Sequence, residues 1–378
     1  MDIMEQALRA INGNENETTV MVNTKAQPLA WDGIIGCKSF KNPVTVSEAA
    51  EAVGANYEVK KHHMVAISDE LFNAIMNGTP ITEETLRKEN IVSTHMATMR
   101  EDNGNILGVV GSTYGVVSNA DSMAFFNHIL NGDISSSTEK AVIETAGILD
   151  GGGRFYITAK MNSNIRIDGD NSDIEDYLLL TNAHDGSGSV SVLFTPIRVI
   201  CQNTLNAALR SAKNKLIYKH TSRVNERMDL TKEANIQRAA EVLKFHERYK
   251  EAFIEDLNRL RSIKLKENEV TDMVCRLFAD EKEMRIIREH YYNLDGISTD
   301  DVSTRKKNLI TSLMDSVESG IGQDTNRGSG LWLYNGISSW GNNARTYKDN
   351  AAKFDSIIDG DMSKKVQKMH DMVLEYAA

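Results

Sequence analysis

The distribution of proline constrains this chain most strongly, because proline removes a main-chain hydrogen-bond donor and clashes with the preceding turn of a helix. The 378 residues include 4 prolines, and none of them follows Pro196. The absence of proline from the remaining residues predicts a long helical C-terminal region. Strand-like patterns before Pro196 predict a different architecture for the first half of the chain.

The order of hydrophobic patterns predicts an α+β fold, in which antiparallel β-meander units with flanking helices are followed by an all-helical C-terminal region. We expect a flexible N-terminal arm over residues 1–30, an α+β core over 31–230 and a helical domain over 231–378. Apolar residues from Ile236 to Leu260 recur about every 3.6 positions in a highly charged sequence. This single apolar stripe must be buried against another element, so we expect the C-terminal helices to pack back on the sheet.

Capping and turn signals locate several elements. Thr45 and Glu48 form a capping-box pattern before a run that ends at Gly54, which predicts a helix over 46–53. Asn119 and Asn203 are suited to cap two further helices. Hairpins are predicted around Asp102–Gly104, between strands 91–99 and 106–117, and around Asn182–Ser189, between strands 177–181 and 190–194. Later helices are predicted over 269–291, 302–319 and 363–376.

Composition restricts the classes of partner and compartment. The formal net charge is −10, so the mean field would not attract a polyanion and any nucleic-acid site must be a local patch. The 3 cysteines are far apart and lack zinc-ligand spacing, so we expect no disulfide framework, no metal and no cofactor. With no signal-like or membrane-spanning stretch, we expect a protein of the bacterial host cytoplasm that does not contact membranes.

The sharpest local charge asymmetry lies between residues 198 and 225, where no acidic residue occurs. Each cation there could neutralise a phosphate of a nucleic acid, although cations also complement the dipole at a helix C-terminus. A smaller basic contribution comes from the first β unit. The predicted nucleic-acid-binding residues are Arg198, Arg210, Lys213, Lys215, Lys219 and Arg223, with Lys60 and Lys61.

A second candidate is the turn over 182–189, which contains an imidazole, a carboxylate and glycine-flanked amides. Such groups could bind an anion or perform acid–base chemistry. Asp, Gly and Ser also favour hairpin turns for conformational reasons alone, so both interpretations stay open. The residues of this possible anion or turn site are Asn182, His184, Asp185 and Ser187.

Several motifs follow one another along the chain: Leu107–Val117, Glu144–Leu149, Leu179–Ser187 and Phe194–Asn206, with Ala30–Gly33 near the start and Leu333–Asn335 towards the end. In this order they resemble the phage/plasmid-like proteins of domain-of-unknown-function family 932. The resemblance spans about residues 31–374 and implies a phage, prophage or plasmid origin without an established activity. A weaker, fold-level resemblance of residues 46–131 to Rad-type single-strand annealing proteins implies ring formation and a basic groove for DNA.

Three hypotheses follow. The leading one is a phage- or plasmid-encoded protein without catalytic residues that binds single-stranded DNA, as an annealing or recombination factor, and forms a homo-oligomer such as a ring. A second is a non-enzymatic oligomer that counters host defence or scaffolds an assembly, for which the acidic surface is the hint. A third is an enzyme that uses His184 and Asp185 on a phosphate-containing substrate.

Overall fold

The computed structural model describes residues 19–23, 38–40, 42–80, 90–131, 141–167, 174–198, 203–204, 215–229, 237, 250–320, 323–358 and 360–377. The strands are β1 (Thr19–Asn23), β2 (Lys38–Phe40), β3 (Val59–Ala66), β4 (Asn90–Arg100), β5 (Ile106–Gly111), β6 (Val142–Leu149), β7 (Arg154–Ile165), β8 (Ile174–Ala183), β9 (Val190–Arg198), β10 (Asn203–Thr204) and β11 (Lys215–Tyr218). The helices are α1 (Val46–Ala52), α2 (Asp69–Met76), α3 (Asn119–Asn131), α4 (Val224–Met228), α5 (250–262), α6 (Glu267–Cys275), α7 (Glu281–Glu289), α8 (Thr304–Ser319), α9 (Gly330–Ser339), α10 (Asn350–Ile358) and α11 (Asp361–Tyr376).

Eight strands form a large sheet in the order β10, β9, β8, β7, β6, β1, β2, and β11 also pairs with β9. Neighbouring strands are antiparallel except β1 and β2, which run parallel. The predicted hairpin at Asn182–Ser189 is confirmed, since it joins β8 to β9. Strand β1 lies within the predicted arm, and the other residues of 1–30 lie outside the described residues, so the boundary at residue 30 stays a prediction.

Strands β3, β4 and β5 form a separate three-stranded antiparallel sheet, which we call the small sheet. The hairpin between β4 and β5 is confirmed, and Gly104 there has a φ of 75°. Strand β5 ends at Gly111 and not at residue 117 as predicted. The chain leaves the sheet there because Tyr114 and Gly115 bond to other parts of the molecule.

The capping box of α1 is confirmed, because the Thr45 and Glu48 side chains each bond to the other residue's main-chain N–H. The prediction for Asn119 is wrong in its detail. Ser118 caps α3 by accepting from the Asp121 main-chain N–H at 2.9 Å, which leaves the buried Asn119 side chain for other partners.

The prediction that Asn203 caps a helix is also wrong, since Asn203 pairs with Arg198 as part of β10. The free edge of β9 offers main-chain partners there, which favours an extended conformation. The helix predicted after Asn203 lies outside the described residues. The helix predicted over 269–291 is interrupted, because Asp280 caps the separate helix α7 by accepting from Glu283.

Helices cover both faces of the large sheet. On one face α1 and α3 join the sheet in a core that includes Ala49, Phe126 and Leu178. On the other face Phe354 and Ile357 of α10 pack against sheet residues such as Tyr156. A third core joins α5, α6, α7, α8, α9 and α11 to Ile165, Ile167 and Ile174 from β7, β8 and the segment between them.

These contacts confirm that the C-terminal helices pack back on the sheet, and the α+β class is as predicted. Within the described ranges, no helix has the length and apolar character needed to cross a membrane.

A half-buried ionic group lies on β6, β7 and β8, where Lys160 pairs with Glu175 and Tyr177 donates to Glu175 at 2.6 Å. Nearby Glu144 is the extra residue of a bulge in β6, between Ile143 and Thr145. Burial raises the pKa of Glu144 to about 7, with Lys160 lowering it and Glu175 raising it further. A carboxyl with a raised pKa stabilises the fold when protonated, and this contribution is lost as pH rises through 7.

Replacing Glu144 with glutamine is therefore expected to stabilise the protein at pH 8 and to leave it almost unchanged at pH 5. We expect a difference of about 1 kcal/mol at pH 8, because the partly exposed carboxylate is screened by solvent. Urea unfolding of both proteins from pH 5 to pH 8 measures it. The exposed control Glu51→Gln should follow the wild type at every pH, and equal shifts in both variants would contradict the assignment to Glu144.

Candidate nucleic-acid interface

The turn between β8 and β9 begins in a buried polar network. Asn119 Nδ2 donates to the Ala55 carbonyl at 3.0 Å, so its Oδ1 is left as an acceptor. That oxygen lies 3.1 Å from Asn182 Nδ2 and 2.9 Å from His184 Nε2. His184 Nε2 therefore carries the ring hydrogen. The network joins α3 to the large sheet at the turn predicted as an anion site.

His184 is fully buried, and burial lowers the pKa of its imidazole to about 3, with His220 contributing in the same direction. The ring is neutral at physiological pH and has no path to a solvent-borne phosphate in this conformation. Ser187 and Asp185 are more exposed, but Ser187 donates to the Asp185 carboxylate and closes the turn on itself. The geometry thus favours the interpretation that these residues shape a hairpin turn over the interpretation that they form a catalytic site.

The small sheet packs directly on the same turn. Thr98 of β4 donates to the His184 carbonyl at 2.7 Å. Gly108 of β5 lies against the Asp185 main chain, so closely that a Cβ there would come within 2.7 Å of the Asp185 Cα. Close approach of two main chains requires glycine at this position. The turn is therefore the docking point that orients the small sheet.

Arg154, at the start of β7, connects the turn to the helical region. Its Nη2 donates to Ser187 Oγ at 2.5 Å and lies 3.5 Å from Asp185 Oδ2, while Nη1 lies 2.6 Å from Asp355 Oδ1 of α10. The Arg154 side chain is 8% exposed. Burial raises the pKa of Asp355 to about 6, although Arg154 lowers it. We refer to Arg154, Asp185, Ser187 and Asp355 as the Arg154 cluster.

The described part of the predicted basic segment is exposed between β11 and α4. We call residues 219–223 the basic loop; they read Lys-His-Thr-Ser-Arg. The side chains of Lys219 and Arg223 are exposed and form no ion pair with another described residue. Two hydroxyl side chains, Thr221 and Ser222, lie between them and are also exposed.

His220 holds the basic loop to the segment 112–117, which we call the bridging segment. His220 Nδ1 donates to the Gly115 carbonyl at 2.9 Å, and Gly115 N–H donates back to the His220 carbonyl at 3.1 Å. The Tyr114 ring stacks on the imidazole with centroids 4.6 Å apart. Burial lowers the pKa of His220, so the residue positions the loop and adds no charge at pH 7.

Lys61 approaches the bridging segment from the small sheet. Its Nζ donates to the Ser112 carbonyl at 2.8 Å. Since Ser112 and Gly115 are three residues apart, at most about 11 Å of chain separates this contact from the basic loop. Lys61 therefore contacts the same bridging segment that holds the basic loop, although about 160 residues separate it from Lys219 and Arg223 in sequence.

The other predicted cations are placed differently. Lys60 pairs with Glu58 and Glu101, so its charge is neutralised on the outer surface of the small sheet. Arg198 and Lys215 lie in β9 and β11. Arg210 and Lys213 lie outside the described residues.

Sequence reasoning missed Arg154 and Asp355, because charged residues on strands and helices usually face solvent. It identified Asn119 for the wrong reason, as a helix cap. A polar residue at the start of a helix was the available signal, but its partners are distant in sequence and no local pattern indicates them.

The family comparison matches residues 106–357 to a family described as a domain of unknown function (DUF932). The matched residues include the turn, Arg154, the bridging segment and the basic loop, whereas Lys61 precedes them. No curated protein and no solved structure shows a significant match. Because the match covers well over half of the sequence, the chain belongs to the DUF932 family.

Proposed function

We propose that this protein binds single-stranded DNA through the basic loop, as a non-enzymatic factor of phage or plasmid recombination or replication in the bacterial cytoplasm. The observation that carries the proposal is the pair of exposed cations Lys219 and Arg223, which form no ion pair with another described residue. They lie on a loop that is held by the segment that Lys61 contacts. The proposed assembly is a homo-oligomer, with a ring as one closed form.

Electrostatics supports this surface. In a chain of net charge −10, exposed cations with no acidic partner among the residues that the structure describes are a local exception to the mean field. Phosphate neutralisation by each such cation releases counterions and adds a salt-dependent increment to the affinity. The hydroxyls of Thr221 and Ser222 add donors of the kind that bind phosphate oxygens.

The anchoring of the loop supports a binding role as well. A loop fixed by the paired His220 and Gly115 bonds loses less conformational entropy on binding than a free loop of similar charge. Contacts of this kind position a phosphate backbone without reading bases, which suits a factor that acts on any sequence. The fold-level resemblance to annealing proteins favours single strands over duplex.

The double variant Lys219→Glu/Arg223→Glu is expected to bind a labelled single-stranded oligonucleotide at least about tenfold more weakly at low salt. The slope of log affinity against log salt should flatten by about 1.4, since each lost phosphate contact on a single strand contributes about 0.7. Fluorescence anisotropy titrations at several salt concentrations measure both quantities, and a duplex of the same sequence tests the strand preference.

The matched control is Lys282→Glu/Arg285→Glu on α7, which makes the same change in net charge at two exposed cations. It should keep the salt slope of the wild type. If the wild type fails to bind at low salt, or if both double variants lose affinity equally, the basic loop is not the binding site.

The alternative of a scaffold or anti-defence oligomer has one observation in its favour, the exposed apolar surface of the small sheet and α2. Recovery of a host protein with no DNA binding by the wild type would favour that function. The enzyme alternative is disfavoured by the full burial of His184.

A further inference from the structure

Helix α4 directly follows the basic loop, and packing fixes its rotation about its own axis. Val224 and Met228 are four residues apart, and both are buried in the core that the large sheet forms with α1 and α3. Gly115 of the bridging segment lies so close to the start of α4 that a Cβ there would overlap the Thr221 carbonyl and the Val224 side chain. One face of the helix is therefore held away from solvent.

The buried face places the remaining side chains of α4 on two different flanks. Successive residues of a helix are rotated by about 100°, so residues three or four apart are neighbours and adjacent residues are not. Arg223 and Arg227 lie on one flank, and Asn225 and Glu226 lie on the other. The Arg227 main-chain N–H donates to the Arg223 carbonyl at 3.3 Å, which places the two arginines one turn apart.

The flank with the two arginines is cationic. Arg227 is exposed and forms no ion pair with any residue that the structure describes. Along the sequence the acid-free stretch ends before Glu226, which excludes Arg227 from the predicted cations. In the helix, however, Glu226 and Arg227 lie on opposite flanks. The cationic surface therefore continues past the residue at which the sequence pattern ends.

We propose that Arg227 is a further phosphate-binding residue of the nucleic-acid interface, and that a single strand follows the cationic flank of α4 from the basic loop past Arg223 to Arg227. The inference rests on the proposed function and names the path of the bound strand. A guanidinium binds a phosphate through two parallel N–H donors, which suits this role. The opposite flank would bring the Glu226 carboxylate to the phosphates, and the repulsion of like charges disfavours that path.

The test is Arg227→Gln in the full chain, titrated with the same labelled single-stranded oligonucleotide at several salt concentrations. We expect about threefold weaker binding at low salt, because one phosphate contact is lost. The slope of log affinity against log salt should flatten by about 0.7. Arg227→Lys keeps the positive charge and should keep the slope of the wild type.

The matched control is Asn225→Asp, which makes the same change in net charge on the opposite flank of the same helix. It should keep the wild-type slope. Equal losses in Arg227→Gln and Asn225→Asp would overturn the inference, since the effect would then follow net charge and not the flank.

The variants also separate this inference from the proposed function. If Lys219→Glu/Arg223→Glu flattens the salt slope and Arg227→Gln leaves it unchanged, the strand does not reach Arg227, and the basic loop is still the binding site. A wild type that fails to bind the oligonucleotide at low salt overturns both proposals together.

Discussion

Replacing Gly108 with alanine is expected to lower the free energy of unfolding by about 3 kcal/mol, at the upper end of the usual cost of overpacking. The added methyl group would overlap the carbonyl and Cα of Asp185, and both are main-chain atoms of a turn whose residues His184 and Ser187 are themselves bonded. Neither side can move without breaking these bonds. Chemical denaturation measures the loss, and faster hydrogen exchange across β3, β4 and β5 should locate it.

Gly111 is the matched control on the same strand, because a Cβ there has nothing within 4 Å. Gly111→Ala should be within about 0.5 kcal/mol of the wild type. Both substitutions reduce the entropy of the unfolded chain in the same way, so their difference isolates the contact with Asp185. Equal stability of the two variants would mean that the small sheet does not dock through Gly108.

Replacing Arg154 with methionine should cost about 3 kcal/mol, because it removes the partner of two carboxylates at a buried site. The methionine retains apolar packing, so the loss reports the charge and its hydrogen bonds. Asp185 and Asp355 are left facing each other without the guanidinium that binds both of them. The double variant Arg154→Met/Asp355→Asn should recover part of the stability, since it removes one of the unpaired charges.

The stability cost of the single variant Arg154→Met should depend on pH. In the wild type the pKa of Asp355 is raised to about 6, so the Asp355 contribution to stability is greatest at low pH and is lost as pH rises through 6. Without Arg154 the pKa rises further, so the cost of Arg154→Met should be larger at pH 8 than at pH 5. Urea unfolding at both pH values measures the difference.

An exposed ion pair provides the comparison for Arg154. Arg327 pairs with Glu318 at the surface, and its side chain is 68% exposed. Arg327→Met should cost no more than about 1 kcal/mol, with little change between the two pH values. A similar small cost for Arg154→Met would show that the Arg154 cluster does not hold α10 to the turn.

Local patterns predicted the elements whose causes are local. The capping box of Thr45 and Glu48 specifies the start of α1 because all of its hydrogen bonds lie within four residues. The turn at Asp102–Gly104 is specified by a glycine that accepts a positive φ. Local signals gave a wrong prediction where another element supplied a hydrogen-bonding partner. Asn203, for example, pairs with the edge of β9 and forms a strand there.

For the candidate site, sequence charge alone located Lys219 and Arg223, because an acid-free stretch in an acidic chain is visible without coordinates. It could not show that Lys60 is neutralised by Glu101, since that pairing depends on the register of β3 with β4 and the hairpin that follows.

The sequence by itself determined the α+β class, the helical C-terminal region and the acid-free basic segment, because proline placement, hydrophobic period and charge act along the chain. Only the tertiary structure decided that His184 is a buried partner of Asn119, that Arg154 joins the turn to α10, and that Lys61 contacts the bridging segment that holds the basic loop. These contacts join residues that are distant in sequence, and their free energy depends on distances and burial that arise only when the sheets and helices have packed.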